Sequence, residues 1–210
     1  MGTALTAIIA FFMGSISAGA IAGRMAGVDL REHGSGNLGA TNAFRILGPK
    51  YGAPVLIFDI VKGAVPVLFI APIFAAASPL GPTGIRTLAA LAAVAGHIWS
   101  PFVSFRGGKG VATAAGAFLA LSPLATLAGI VVWAALALGT RYFSVGSLGG
   151  SLVLPLTVWV EARLRGTPQP MVLVGTAVIL TIAIITRHRG NIARLRRGEE
   201  NRFPRPGRGD

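Results

Sequence analysis

Four short polar stretches interrupt an otherwise apolar chain, and all four are built from groups that hold oxyanions. They are GSGNLGATNAFR (34–45), FRGGKGVAT (105–113), TRYFSVGS (140–147) and TRHRGNIARLRRGEE (186–200). Glycine lets backbone N–H groups approach a ligand closely, and Arg or Lys neutralises it. In the first stretch Ser35, Asn37, Thr41 and Asn42 can donate to phosphate oxygens or hydroxyls, beside the open backbone of Gly34 and Gly36; Arg45 can donate bidentately. In the second, Gly107, Gly108, Lys109 and Gly110 precede a helical run, so free N–H groups and the helix dipole would point at whatever Lys109 contacts. The GxxxxGK[ST] spacing of a Walker loop is absent. A tight turn carrying topology-setting charge explains the same residues, and both readings stand.

The third stretch offers Arg141, Ser144 and Ser147, with one serine available as a helix N-cap. In the fourth, His188 and Asn191 are three apart and share a helix face. Arg187, Arg189 and Arg194 around His188 should oppose its protonation and favour a neutral imidazole. Glu199 and Glu200 can balance that positive charge.

These stretches must be positioned by membrane helices. The chain has 210 residues, 53% hydrophobic and only 12% charged, with mean hydropathy +0.69; a soluble domain carries about 25% charged residues. Apolar segments lie at about 4–23, 53–77, 85–103, 111–121, 124–139, 145–160 and 171–186. The first lacks a basic leader and reads as a retained helix. Whether 111–139 is one helix or two is decided by charge. A break at Ser122-Pro123 puts 15 cations on one side and three on the other, with Lys62 inside a helix. A single helix gives eight against ten, which is no bias. The fold expected is therefore all-α: a polytopic membrane protein with seven transmembrane helices, the N-terminus outside and the C-terminus cytoplasmic. One domain covers 1–196, followed by a flexible basic tail at 197–210, and all four polar stretches face the cytoplasm. At 11 residues, 111–121 is too short to cross a ~30 Å hydrocarbon core unaided and should be tilted or shielded.

Within the spans, Asp59 and Lys62 are three apart and can pair; Lys62 can equally snorkel. His97 suits a polar contact between helices. Cysteine is absent, removing disulfides and thiol chemistry, and no His/Asp/Glu cluster has metal-ligand spacing, so no metal is expected.

In order and together, GSGNLGATNAFR, GHIWSPFVSFRGGKGVAT, TRYFSVGS and HRGNIARLRRGEE resemble the PlsY family, the integral-membrane acyl-phosphate glycerol-3-phosphate acyltransferases of bacterial phospholipid synthesis. The resemblance spans nearly the whole chain. It implies glycerol-phosphate and acyl-phosphate roles for Ser35, Arg45, Lys109, Ser147, His188 and Asn191, with Glu199 in a supporting position. It further implies a location in the bacterial inner membrane, product lysophosphatidic acid, no cofactor and no nucleic acid partner, and a monomer. Two departures are Leu38, where many members have Pro, and GSISAG at 14–19, where many have GSIPFG; both concern loop and helix shape. Other glycerolipid acyltransferases use a His-x-x-x-x-Asp pair as general base. Here Leu38, Phe102 and Ala193 stand five after the three histidines. Either His188 acts alone as base, or the substrate's own phosphate takes the proton while His188 orients glycerol phosphate. A membrane transporter or channel for organic phosphate would also need such cations, as would a lipid-binding scaffold. One-sided cations and the absence of an inverted repeat weigh against the former, and ordered polar loops against the latter.

Overall fold

The computed structural model describes residues 1–166 and 170–203, and among these every regular element is a helix. The chain opens with α1 (Gly2–Ser15) and α2 (Ala18–Met25), two parts of one apolar run broken at Ile16-Ser17. The break leaves carbonyls without helical partners. The Ser100 hydroxyl donates to that of Ser15 at 2.6 Å, and the Lys62 ammonium to that of Ile16 at 2.8 Å. The amphipathic α3 (Ala40–Leu47) follows, then α4 (Pro49–Val65), which passes through a π-helical turn at Pro66–Ile70 into α5 (Ala71–Ile73). Pro72 has no N–H to donate, so the ladder loosens here. Arg86 fills the gap, donating to the carbonyls of Val67 and Ala120.

Next come α6 (Gly81–Ile98), α7 (Val111–Leu121), α8 (Pro123–Thr140), α9 (Phe143–Leu164), α10 (Pro170–Arg187) and α11 (Arg189–Arg197). The expected break at Pro123 is present. Glu161 closes it from α9, one carboxylate oxygen accepting from the Ser122 hydroxyl at 2.6 Å and the Ala125 N–H at 2.7 Å, which caps α8.

Each of the seven apolar segments is helical. By length and composition, however, four stretches can cross a membrane: Gly2–Met25, Pro49–Ile73, Pro123–Thr140 and Phe143–Leu164. A fifth is available if α10 and α11, bent by 53°, count as one. Helix α7 is too short, about 16 Å at 1.5 Å per residue, and it lies inside the bundle, where Ala114, Ala117 and Phe118 are fully covered.

Two helix pairs meet backbone to backbone. A Cβ on Gly14 would lie 2.0 Å from the Ala93 carbonyl oxygen, and one on Gly96 2.0 Å from that of Phe11, so α1 and α6 each lend the other a glycine. Gly63 against Thr113 and Gly116 against Ile60 do the same for α4 and α7, at 2.0 and 1.9 Å. Small residues permit this approach, which drives helix association where no hydrophobic effect operates. A core around Val94, Ile98, Phe118, Val158 and Leu180 joins α6, α7, α9 and α10.

The tail does not leave the bundle at 197. Gly198, at φ +72°, turns the chain back after α11. Phe203 then stacks on Phe143 at 4.6 Å between ring centroids and pairs its backbone N–H and carbonyl with Arg141. The expected flexible tail is thus docked through Phe203; residues 204–210 lie outside the described residues.

Candidate active site

The polar stretches converge on one end of a cavity of about 390 Å³ that runs inward among α3, α4, α7, α8, α9 and α10. Its inner walls are apolar, with Leu56, Ile60, Phe118, Ile130 and Leu154. Ser35, Arg45, Lys109, Ser147, His188 and Asn191 all line it, as do Asn37, Thr41, Asn42, Gly110 and Ser144.

Within this group the parts differ. Asn42 is buried and shapes the first loop: its amide donates to the carbonyls of Leu30 and His33, and its oxygen accepts the Ser35 N–H at 2.9 Å. Asn37 accepts from Gly39 N–H, which sets the start of α3. Ser35 and Arg45 are left to face the cavity, with Arg45 on the exposed side of α3. On α9, the Ser147 hydroxyl donates to the Phe143 carbonyl at 2.9 Å, while the buried Ser144 hydroxyl faces the Glu200 carboxylate.

Gly34, Gly36, Gly107, Gly108, Arg141 and Glu199 do not line the cavity. The Gly107 and Gly108 N–H groups, expected to face a ligand, instead donate to the carbonyls of Ile98 and His97, both at 3.1 Å. Gly36 N–H donates to His33, and a Cβ on Gly34 would strike the Asn42 side chain. Of the second loop's glycines, only Gly110, at φ +86° ahead of α7, borders the cavity. Arg141 grips the tail. Glu199 pairs with exposed Arg197, and Glu200 takes the inward place.

Lys109, Asn191, Glu200 and Arg194 form a chain of hydrogen bonds. The ammonium donates to Asn191 Oδ1 at 2.5 Å, Asn191 Nδ2 to Glu200 Oε1 at 2.6 Å, and Arg194 Nε to Glu200 Oε2 at 2.7 Å. Burial pulls the Lys109 pKa down to about 8; Arg194, Arg45 and Arg187 add to the fall and Glu200 opposes it. Burial would raise Glu200, but the hydrogen bonds from Asn191, Ser144 and Arg194 outweigh it and keep the carboxylate ionised. His188 falls to about 4, first through burial and then through the Lys109 charge, so the ring is neutral, but not because of the flanking arginines. Its Nδ1 lies 2.8 Å from the Ile184 carbonyl. A carbonyl only accepts, so Nδ1 carries the proton and Nε2 keeps a free lone pair.

Sequence reasoning missed three ionisable lining residues. Glu200 was in view only as balancing charge. Asp59 and His97, seen as an intramembrane pair member and a helix contact, both border the cavity. Their rarity in spans was the signal available.

This arrangement can hold two anionic groups beside a slot for an apolar chain. A model of the family described as glycerol-3-phosphate acyltransferase matches residues 4–198. Proteins of that name are 42% identical in Geobacter sulfurreducens, over 95% of this chain and 96% of that one, and 40% identical in Aquifex aeolicus, over 93% and 96%. Crystal structures of PlsY, an integral membrane glycerol 3-phosphate acyltransferase, superpose on this fold. The glycerol 3-phosphate form gives a TM-score of 0.84 at 38% identity, and the lysophosphatidic acid form 0.82 at 37%; each comparison covers 97% of this chain and 96% of the other. The chain belongs to the glycerol-3-phosphate acyltransferase family.

Proposed function

We propose that this multi-pass membrane protein transfers a fatty acyl group from acyl phosphate to the 1-hydroxyl of glycerol 3-phosphate, releasing lysophosphatidic acid and phosphate for phospholipid synthesis. The observation that carries this is the cavity itself, cationic and amide-lined at one end and apolar along its length. The family does not favour an organic-phosphate transporter.

An acyl phosphate is a mixed anhydride. The glycerol oxygen attacks the carbonyl carbon, a C–O bond forms, the bond to phosphate breaks, and phosphate leaves with the electron pair. The hydroxyl proton passes to a phosphate oxygen. Arg45 and Lys109 hold the two anions side by side, and charge developing on the carbonyl and leaving phosphate meets the hydroxyl of Ser35, and that of Ser147 once its proton turns from the Phe143 carbonyl. Neutral His188 accepts from glycerol phosphate through Nε2 and orients it; Asn191 holds Lys109 in place. The one-sided cations support seven crossings, the N-terminus outside and the cavity mouth facing the cytoplasm from the inner membrane. Packing of α7 among its neighbours offsets its shortness.

In detergent, the purified protein given palmitoyl phosphate and glycerol 3-phosphate should release lysophosphatidic acid and phosphate in equal amounts. No product would overturn the function, and product from acyl-CoA alone would overturn the donor. His188→Ala should raise KM for glycerol 3-phosphate about tenfold, the loss of one buried hydrogen bond. Abolished turnover with unchanged binding would make His188 the base instead.

A further inference from the structure

We infer that the intramembrane pair Asp59–Lys62, acting through His97, is the device that positions Lys109. Inside the helix bundle, Lys62 Nζ lies 2.7 Å from Asp59 Oδ1, and the two residues are only 4% and 2% exposed. The same ammonium donates to the Ile16 carbonyl at the helix break between α1 and α2. The same Asp59 oxygen faces His97 Nδ1 at 3.5 Å. The opposite edge of that imidazole meets the Lys109 loop. A Cβ on Gly108 would lie 2.1 Å from His97 Nε2, so only glycine lets the ring seat there. The His97 and Ile98 carbonyls then accept the Gly108 and Gly107 N–H groups. A continuous path thus runs from Ile16 through Lys62, Asp59 and His97 to Gly108, one residue before Lys109.

A buried ion pair is weak evidence for stability, because desolvation offsets its attraction. What this pair does have is a fixed location beside His97, with Asp59 and His97 bordering the cavity. A carboxylate anchored by Lys62 holds the ring in one orientation, and the ring holds the loop. Released from it, Lys109 would swing outward and exchange its buried place for water. Asp59, Lys62 and His97 are therefore positioning residues, not groups that touch the substrate.

The inference rests on the anion-binding role proposed for Lys109, and the test separates the two. Asp59→Asn alone strands the Lys62 charge and can fail to fold, so the informative variants are His97→Asn and the neutral double variant Asp59→Asn/Lys62→Gln. Each should raise KM for glycerol 3-phosphate about tenfold or more while kcat changes less. Each should also move the alkaline limb of kcat/KM upward from about pH 8, because a hydrated Lys109 regains its ordinary basicity; Arg45, Arg187, Arg194 and Glu200 are unchanged in both variants. Gly108→Ala, which displaces the ring, should reproduce the effect. A merely structural pair would reduce the folded fraction without moving KM or the limb per folded molecule, and that result overturns the inference. Full activity of Lys109→Ala in the same assay would instead overturn the role of Lys109.

Discussion

Lys109→Ala is expected to lower kcat/KM by about 10²–10³, the range seen when one donor to developing negative charge is removed. The protein should remain folded. The side chain has one hydrogen bond, to Asn191, whereas its loop is held by backbone bonds to His97 and Ile98 that the substitution leaves alone. Steady-state kinetics with both substrates, beside thermal unfolding in detergent, checks both halves; an unchanged kcat/KM would remove Lys109 from the site. The same residue sets the alkaline behaviour. With its pKa near 8, Lys109 loses its proton above that value, and kcat/KM of the wild type should fall there, a limb the Ala variant lacks. Unfolding driven by Lys109 cannot cause this fall. Folding lowers the Lys109 pKa from 10.5 to about 8, so between those values the unfolded chain binds more protons and this group's contribution to stability increases with pH. Activity and the Lys109 part of stability therefore move in opposite directions across one window.

The second large effect is structural. Gly116→Val should abolish the folded protein or destabilise it by about 3 kcal/mol or more, above the ordinary range for overpacking. Its Cβ would fall 1.9 Å from the Ile60 carbonyl oxygen, a backbone atom that cannot swing aside. Helices α4 and α7 would have to part, undoing the reciprocal contact at Gly63 as well. Size-exclusion profile and thermal midpoint in detergent check it. A native profile and midpoint would mean that the seam tolerates separation. Gly175, with nothing near its Cβ position, is the matched control, and Gly175→Ala should be close to neutral.

The polar stretches were legible because amides, hydroxyls and cations stand out in a hydrocarbon chain. Ser35, Arg45, Lys109, Ser147, His188 and Asn191 duly line one cavity, and the helix break at Pro123 was readable from the partition of charge. What failed was the assignment of glycines. Gly107 and Gly108 have the composition of an anion cradle, but glycine is equally what a loop needs to lie flat on an imidazole, and composition cannot separate the two. Glu199 and Glu200 differ by one position after a left-handed turn at Gly198, and that turn decides which one points inward. The neutral state of His188 was expected from its flanking arginines, yet its causes are burial and the Lys109 charge, both of which depend on elements distant in sequence. Likewise the i,i+3 spacing of Asp59 and Lys62 announced a pair without revealing that Asp59 borders the cavity.

The docked tail has a consequence in time. The cavity takes residues from as early as Ser35 and as late as Asn201, and the strap that carries Glu200 is fastened by Phe203 to Arg141 and Phe143. A chain threaded into the bilayer from its amino end lays down Ser35, Arg45, Lys109 and the apolar walls before His188, Asn191 and Glu200. It can complete the charged end only after α11 and the residues beyond it have emerged and folded back. The anion grip is therefore the last part of the cavity to be completed, and its closing contacts, Asn191 and Glu200, come from the final stretch of the described chain.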